Sequence, residues 1–177
     1  MSGAGLALPI VTLSEAQAFA RIEIGEEEAV VAGLIRSASA LAEAFLNQVV
    51  IARDFTLEIP ASGEWERLAL TPVRSIASVA ALDADGVATA LDSGSYAIDI
   101  DSSGDGWVRA TNPLGGTRLE VTGSAGMALD ENGVPEPIRQ GVLRLVAHLF
   151  TARDGEGGEP PAAVTALWRP YRRMRLS

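Results

Sequence analysis

VPEPIRQGVLRLVAHLFTAR, residues 134–153, carries the clearest helix signal in the chain. Pro135 and Pro137 cannot occupy a helix interior, where the missing N–H and the ring would break the ladder. Both fit before or within a first turn, whose N–H groups have no intrahelical partner. The helix is therefore predicted to begin near Pro137. Ile138, Val142, Leu145, Val146 and Leu149 follow at spacings of three and four, and Leu143 and Phe150 widen the stripe beyond one face, so burial on more than one side is expected. Arg139, Gln140 and Arg144 mark the remaining wet strip. The run Asp154-Gly155-Glu156-Gly157-Gly158 supplies the stop.

Before this helix, the period of the sequence changes twice. Thr12 with Glu15 three residues on is a capping-box pattern that opens a first helix, with Leu13, Ala16, Phe19 and Ala20 expected to face inward. Gly25 breaks it. Glu26, Glu27 and Glu28 then fall in the first turn of a second helix, where the helix dipole favours anions; as neighbours on a helix they point apart, which argues against a metal site. The second helix runs to about Gln48, with Val31, Leu34, Ile35, Ala38, Leu41, Ala42 and Phe45 as its apolar stripe and alanines at 38, 40, 42 and 44 permitting close packing.

From Ile51 onward the pattern alternates. Ile51, Phe55, Leu57 and Ile59 share one face of a predicted strand, with Asp54 and Glu58 on the other. Further strands are read at 65–70, 75–82, 87–91, 96–100, 107–110 and 118–122, with Asp83-Ala84-Asp85-Gly86 as a hairpin connection. Short strands with tight turns make a small antiparallel sheet or barrel-like unit. The expected class is α+β: two N-terminal helices, one long C-terminal helix and a short terminal helix at 162–167, with the β unit inserted at 51–123. At 177 residues the chain is read as a single domain, 1–177, ending in a C-terminal arm, 160–177.

Composition removes several functions. Hydrophobic residues make up 47% and aromatics only 5%, so the core is built of Ala, Val, Leu and Ile. The chain has no cysteine, which excludes disulfides, thiolate metal sites and cysteine nucleophiles. No apolar run reaches the roughly 18 residues of a membrane span, and the N-terminus lacks the basic region of a secretory signal, so a cytoplasmic protein is expected. The net charge of −9 is unevenly spread: the last 17 residues hold four arginines and no acid, while the first 160 hold ten arginines against 23 acids. An acidic body argues against tight general DNA binding, which needs clustered positive charge, and suits a surface past which DNA slides.

Residues 134–153, the Gly-rich break and PPAAVTALWRPYR (160–172) together resemble the head-tail connector, or adaptor, proteins of tailed phages, prophages and gene transfer agents. The opening VTLSEAQAFARI (11–22) and LTPVRSI (70–76) before the strands resemble the family in the same order. The resemblance implies a structural protein that joins the portal to the tail, with a homo-oligomeric ring of twelve subunits, a stopper or tail-terminator protein on the far side, and DNA passing through without specific binding. It implies a C-terminal segment that reaches the portal. Trp168, Arg169, Tyr171, Arg172, Arg173 and Arg175 are the positions to which that role carries over.

Read by itself, the tail has the composition of interface anchors, with aromatic area beside planar cations. Two other readings stay open: Trp168 and Leu176 fold back onto the long helix, or the arginines pair with the chain's own acids. No catalytic, cofactor or metal constellation is found. Residues 99–104 begin like an EF-hand loop, but position 12 is Ala110, and a polar turn is expected. His148, the only histidine, lies within an apolar helix with no nucleophile elbow in the sequence. Gly123-Ser124-Ala125-Gly126 lacks the lysine and strand-to-helix context of a phosphate loop. A stopper or tail-completion protein is an alternative function, and an enzyme or ligand-binding domain a second.

Overall fold

The computed structural model describes residues 5–23, 25, 27–112, 118–152 and 160–174. The chain forms two compact units. One joins Leu6–Ile51 to Met127–Ser177 and holds the helices; the other, Met1–Gly5 with Ala52–Gly126, holds the strands.

In the helical unit, α1 (Leu13–Ala20) starts at the predicted capping box. The Thr12 hydroxyl accepts from the Glu15 N–H at 3.2 Å, and the Glu15 carboxylate accepts from the Thr12 N–H at 2.8 Å. That backbone N–H is the main reason the Glu15 carboxyl titrates below the ordinary carboxylate range; burial opposes it, while the Thr12 hydroxyl and the Arg139 guanidinium add to it. The inward face is Leu13, Ala16, Gln17 and Ala20, a run of three- and four-residue spacings that leaves Phe19 on the flank. Phe19 is thus 41% exposed, contrary to expectation, and Gln17 is buried.

α2 (Glu28–Leu46) ends two residues earlier than predicted, because Asn47 adopts the left-handed conformation at the C-cap. Its buried residues are Val31, Ile35, Ala38, Ser39, Ala42 and Leu46, so Leu41 lies off the stripe and is exposed. Gly25 turns the chain at φ +101°, as its place in the sequence implied. Of the three glutamates only Glu28 sits in the first turn; Glu27 is the left-handed N-cap residue, and Glu26 lies outside the described residues.

α3 (Glu136–Thr151) touches α1, α2 and α4 (Ala162–Trp168) and centres this unit's core. Its N-cap is Pro135, with Pro137 in the first turn. Ile138, Val142, Leu143, Leu145 and Val146 are buried, as the stripe predicted. Arg139 departs from the wet strip: its side chain is only 14% exposed, pairs with Glu15 and donates to the Glu131 carbonyl at 3.1 Å. The expected stop at 154–158 lies outside the described residues.

The strands form two antiparallel sheets. One has the order β1-β7-β3-β4, from β1 (Arg53–Pro60), β7 (Arg118–Ala125), β3 (Val73–Leu82) and β4 (Ala88–Ala90). The other has the order β2-β6-β5, from β2 (Glu66–Arg67), β6 (Gly106–Ala110) and β5 (Tyr96–Ile100). Neither closes into a barrel among the described residues. Phe55, Leu57 and Ile59 lie opposite Gly123, Val121 and Leu119, so the buried alternations of β1 and β7 share one face. Ile51 is not part of that face: it belongs to the helical unit, where it bridges Ala128. Trp65–Leu70 contracts to the two residues of β2. The β3–β4 hairpin turns at Asp83, whose carboxylate accepts from the N–H groups of Asp85 and Val87 at 3.0 and 2.8 Å.

Candidate functional site

The C-terminal segment is built on Trp168. Its side chain is fully buried, its indole N–H donates to the Ile138 carbonyl at 3.1 Å, and its ring meets Phe45 of α2 with centroids 5.8 Å apart. Space for the indole exists because residue 141 of α3 is glycine; a Cβ there would stand 2.7 Å from Trp168 Cε2. Trp168 therefore anchors the tail inside the helical unit and is not an exposed contact. The fold-back reading of the sequence holds for this residue.

Pro170 then ends the α-helix, and Arg169–Tyr171 forms a single 3₁₀ turn. Beyond it the chain is tied to the C-terminal end of α2. The Arg173 N–H donates to the Leu46 carbonyl at 3.0 Å, and the Gln48 side chain donates to the Tyr171 carbonyl at 2.6 Å. The first bond satisfies a carbonyl that the end of α2 leaves without an intrahelical partner. Arg172 lies over the Phe45 ring, 5.3 Å from its centroid. Arg169, Arg172 and Met174 are exposed, the last at 84%, while Tyr171 and Arg173 are half-buried. Arg175 and Leu176 lie outside the described residues. The structure thus brings Arg169, Tyr171, Arg172 and Arg173 to one surface end and separates Trp168 from them. The sequence signal for that separation was Gly141, the one residue without a side chain in the apolar stripe of α3.

Asp101 caps the β5–β6 turn, its carboxylate accepting from the N–H groups of Ser103 and Asp105 at 2.8 and 3.0 Å and from the Trp107 indole at 3.3 Å. Gly104 there has φ +79°. His148 is half-buried on α3, and its Nε2 has no hydrogen-bond partner among the described residues. Gly123 lies within β7, pressed against Phe55 and the Ser75 carbonyl. No group of three His, Cys, Asp or Glu among the described residues is placed to hold a metal ion.

The chain is a mixed helix-and-sheet protein whose described C-terminal segment exposes Arg169 and Arg172 on the helical unit. No family model and no curated protein matches it. Solved structures do. A chain from the neck of an empty GTA particle computed with C6 symmetry superposes with a TM-score of 0.80 at 24% identity, covering 100% of this chain and 97% of that one. A chain of the virion of a native gene transfer agent particle gives 0.79, and one from the neck of a native GTA particle computed with C12 symmetry 0.75, at the same identity and coverage. The chain has the fold of these chains of gene transfer agent particles.

Proposed function

We propose that this chain is a structural head-tail adaptor of a phage or phage-like particle, without enzymatic activity. The observation that carries this reading is the end-to-end superposition on neck chains, at TM-scores up to 0.80 over all of this chain. Their C6 and C12 symmetries support a cyclic ring, and twelve copies is the number we assign to it. The ring sits between portal and tail, extends the DNA channel, and meets a stopper or tail-terminator on its far side. The chain acts as one connector domain, 1–177, with the β unit of 51–123 set into it and residues 160–177 as its arm.

Within that ring the arm is the portal contact. Arg169, Tyr171, Arg172, Arg173 and Arg175 engage the portal, while Trp168 holds the arm's base rigid, which lowers the ordering cost of docking. The role is mechanical and electrostatic: an acidic body makes few phosphate contacts, so DNA slides.

Electron microscopy of the protein mixed with its cognate portal tests this. A ring added at one end of the portal is expected. A portal without added density, beside monodisperse free protein, would refute the adaptor role.

A further inference from the structure

The three-stranded sheet ends on β5, and the ladder fixes where each backbone group of that strand points. The Thr111 N–H donates to the Ser95 carbonyl and the Asp101 N–H to the Asp105 carbonyl, both at 3.0 Å. Ala97 and Asp99, two and four residues on in the same register, therefore direct their backbone groups to β6. β6 keeps the same alternation, since the Gly106 carbonyl faces the other way and accepts from the Leu68 N–H at 2.8 Å. Tyr96, Ile98 and Ile100 thus turn their N–H and C=O groups outward, where no strand follows among the described residues. Ile98 lies opposite Val108, on the face where Val108 is fully buried, yet Ile98 and Ile100 are 44% and 38% exposed.

The other sheet edges are blunted. β1 carries Asp54, Glu58 and Pro60, while β2 and β4 are two and three residues long. β5 has five residues, and its one charge is Asp99, exposed and without an ion pair among the described residues.

We propose that the free edge of β5 takes up an extended segment of another protein as a further antiparallel strand, and that this segment alternates apolar with basic residues. Pairing with Tyr96, Ile98 and Ile100 supplies the main-chain bonds of strand addition, and the side chains supply the selectivity. Residues set opposite Ile98 and Ile100 extend the apolar face of the sheet and cover both isoleucines. The residue between them falls opposite Asp99 at a non-hydrogen-bonded position, where side chains stand closest, so a cation is attracted there and an acid repelled. A second copy offering its own β5 is the poorer occupant: that strand has no basic residue, and two chains of net charge −9 repel.

The probe is a blocked, fluorescent seven-residue peptide of alternating valine and arginine, titrated with the full chain and read by anisotropy. The wild type is expected to bind it about tenfold more tightly than the same peptide with glutamate for arginine, and Asp99→Lys to invert that preference. N-methylation separates strand addition from a merely ionic contact. Valines opposite Ile98 and Ile100 turn their N–H groups to β5, and the arginines turn theirs away. Methylating the valine amides should therefore abolish binding, and methylating the arginine amides should preserve it. A valine–arginine peptide that does not bind, that binds no better than its glutamate counterpart, or that loses equally by both methylations overturns the assignment. So does a wild-type dimer in analytical ultracentrifugation that Ile98→Lys dissolves, which would give the edge to a second copy.

Discussion

Truncating Trp168 to alanine tests how far the tail belongs to the core. A tryptophan buries about 250 Å², which at about 25 cal/mol per Å² is about 6 kcal/mol. The retained Cβ and the partial compactness of the unfolded chain reduce that to about 4 kcal/mol, within the range seen for large-to-small aromatic truncations. For a chain of this size the expected fall in Tm is about 8–16 °C. Trp168→Phe keeps most of the area and loses the bond to the Ile138 carbonyl, so a cost of about 1–2 kcal/mol is expected. Gly141→Ala sharpens the test, because alanine is the better helix former by about 1 kcal/mol yet would collide with the indole. Urea unfolding followed by circular dichroism reads all three. A loss below about 1 kcal/mol for Trp168→Ala, or a stabilised Gly141→Ala, would refute the packing described.

Glu15→Gln is expected to cost about 1 kcal/mol at neutral pH, by weakening the cap and the pair with Arg139. The folded carboxyl titrates below its unfolded value, so its contribution is complete above the ordinary carboxylate range and vanishes as pH falls through the folded value. Wild-type and variant stabilities should therefore converge in acid, and an undiminished gap there would contradict the assignment. Arg169→Glu with Arg172→Glu should abolish portal capture in a pull-down while lowering stability by no more than about 1 kcal/mol, the scale of one exposed cation–π contact; retained capture would remove the arm from the interface. Gly123→Ala is expected to destabilise by about 1–3 kcal/mol in urea unfolding, because its Cβ would press on the Ser75 carbonyl and Phe55. Neutral behaviour would mean that β3 and β7 sit farther apart than described.

The elements with local grammar were readable. Thr12 and Glu15 mark the start of α1, Pro135 and Pro137 that of α3, and Asp83 to Gly86 a hairpin turn, because each signal acts within a few residues of itself. What the sequence did not show depends on distant partners. β7 lies between β1 and β3, pairing Arg53 with Ala125, and no local pattern specifies a partner so far along the chain. Phe19 and Leu41 fit the apolar spacing of α1 and α2 but lie at the edge of each stripe. The three- and four-residue stripes of their helices are already complete without them, so both remain outside. In the tail, an aromatic beside arginines reads equally well as a contact or as an anchor. Only the glycine at 141, across the core, distinguishes the two for Trp168.

The division of the chain also sets an order of events at the ribosome. The helical unit is made of two segments separated by the whole β unit, and β1 waits for β7. At synthesis rates of roughly 5–20 residues per second, α1 and α2 emerge several seconds before α3 can cover them. During that delay the most apolar helix of the chain has neither its inner nor its outer face covered.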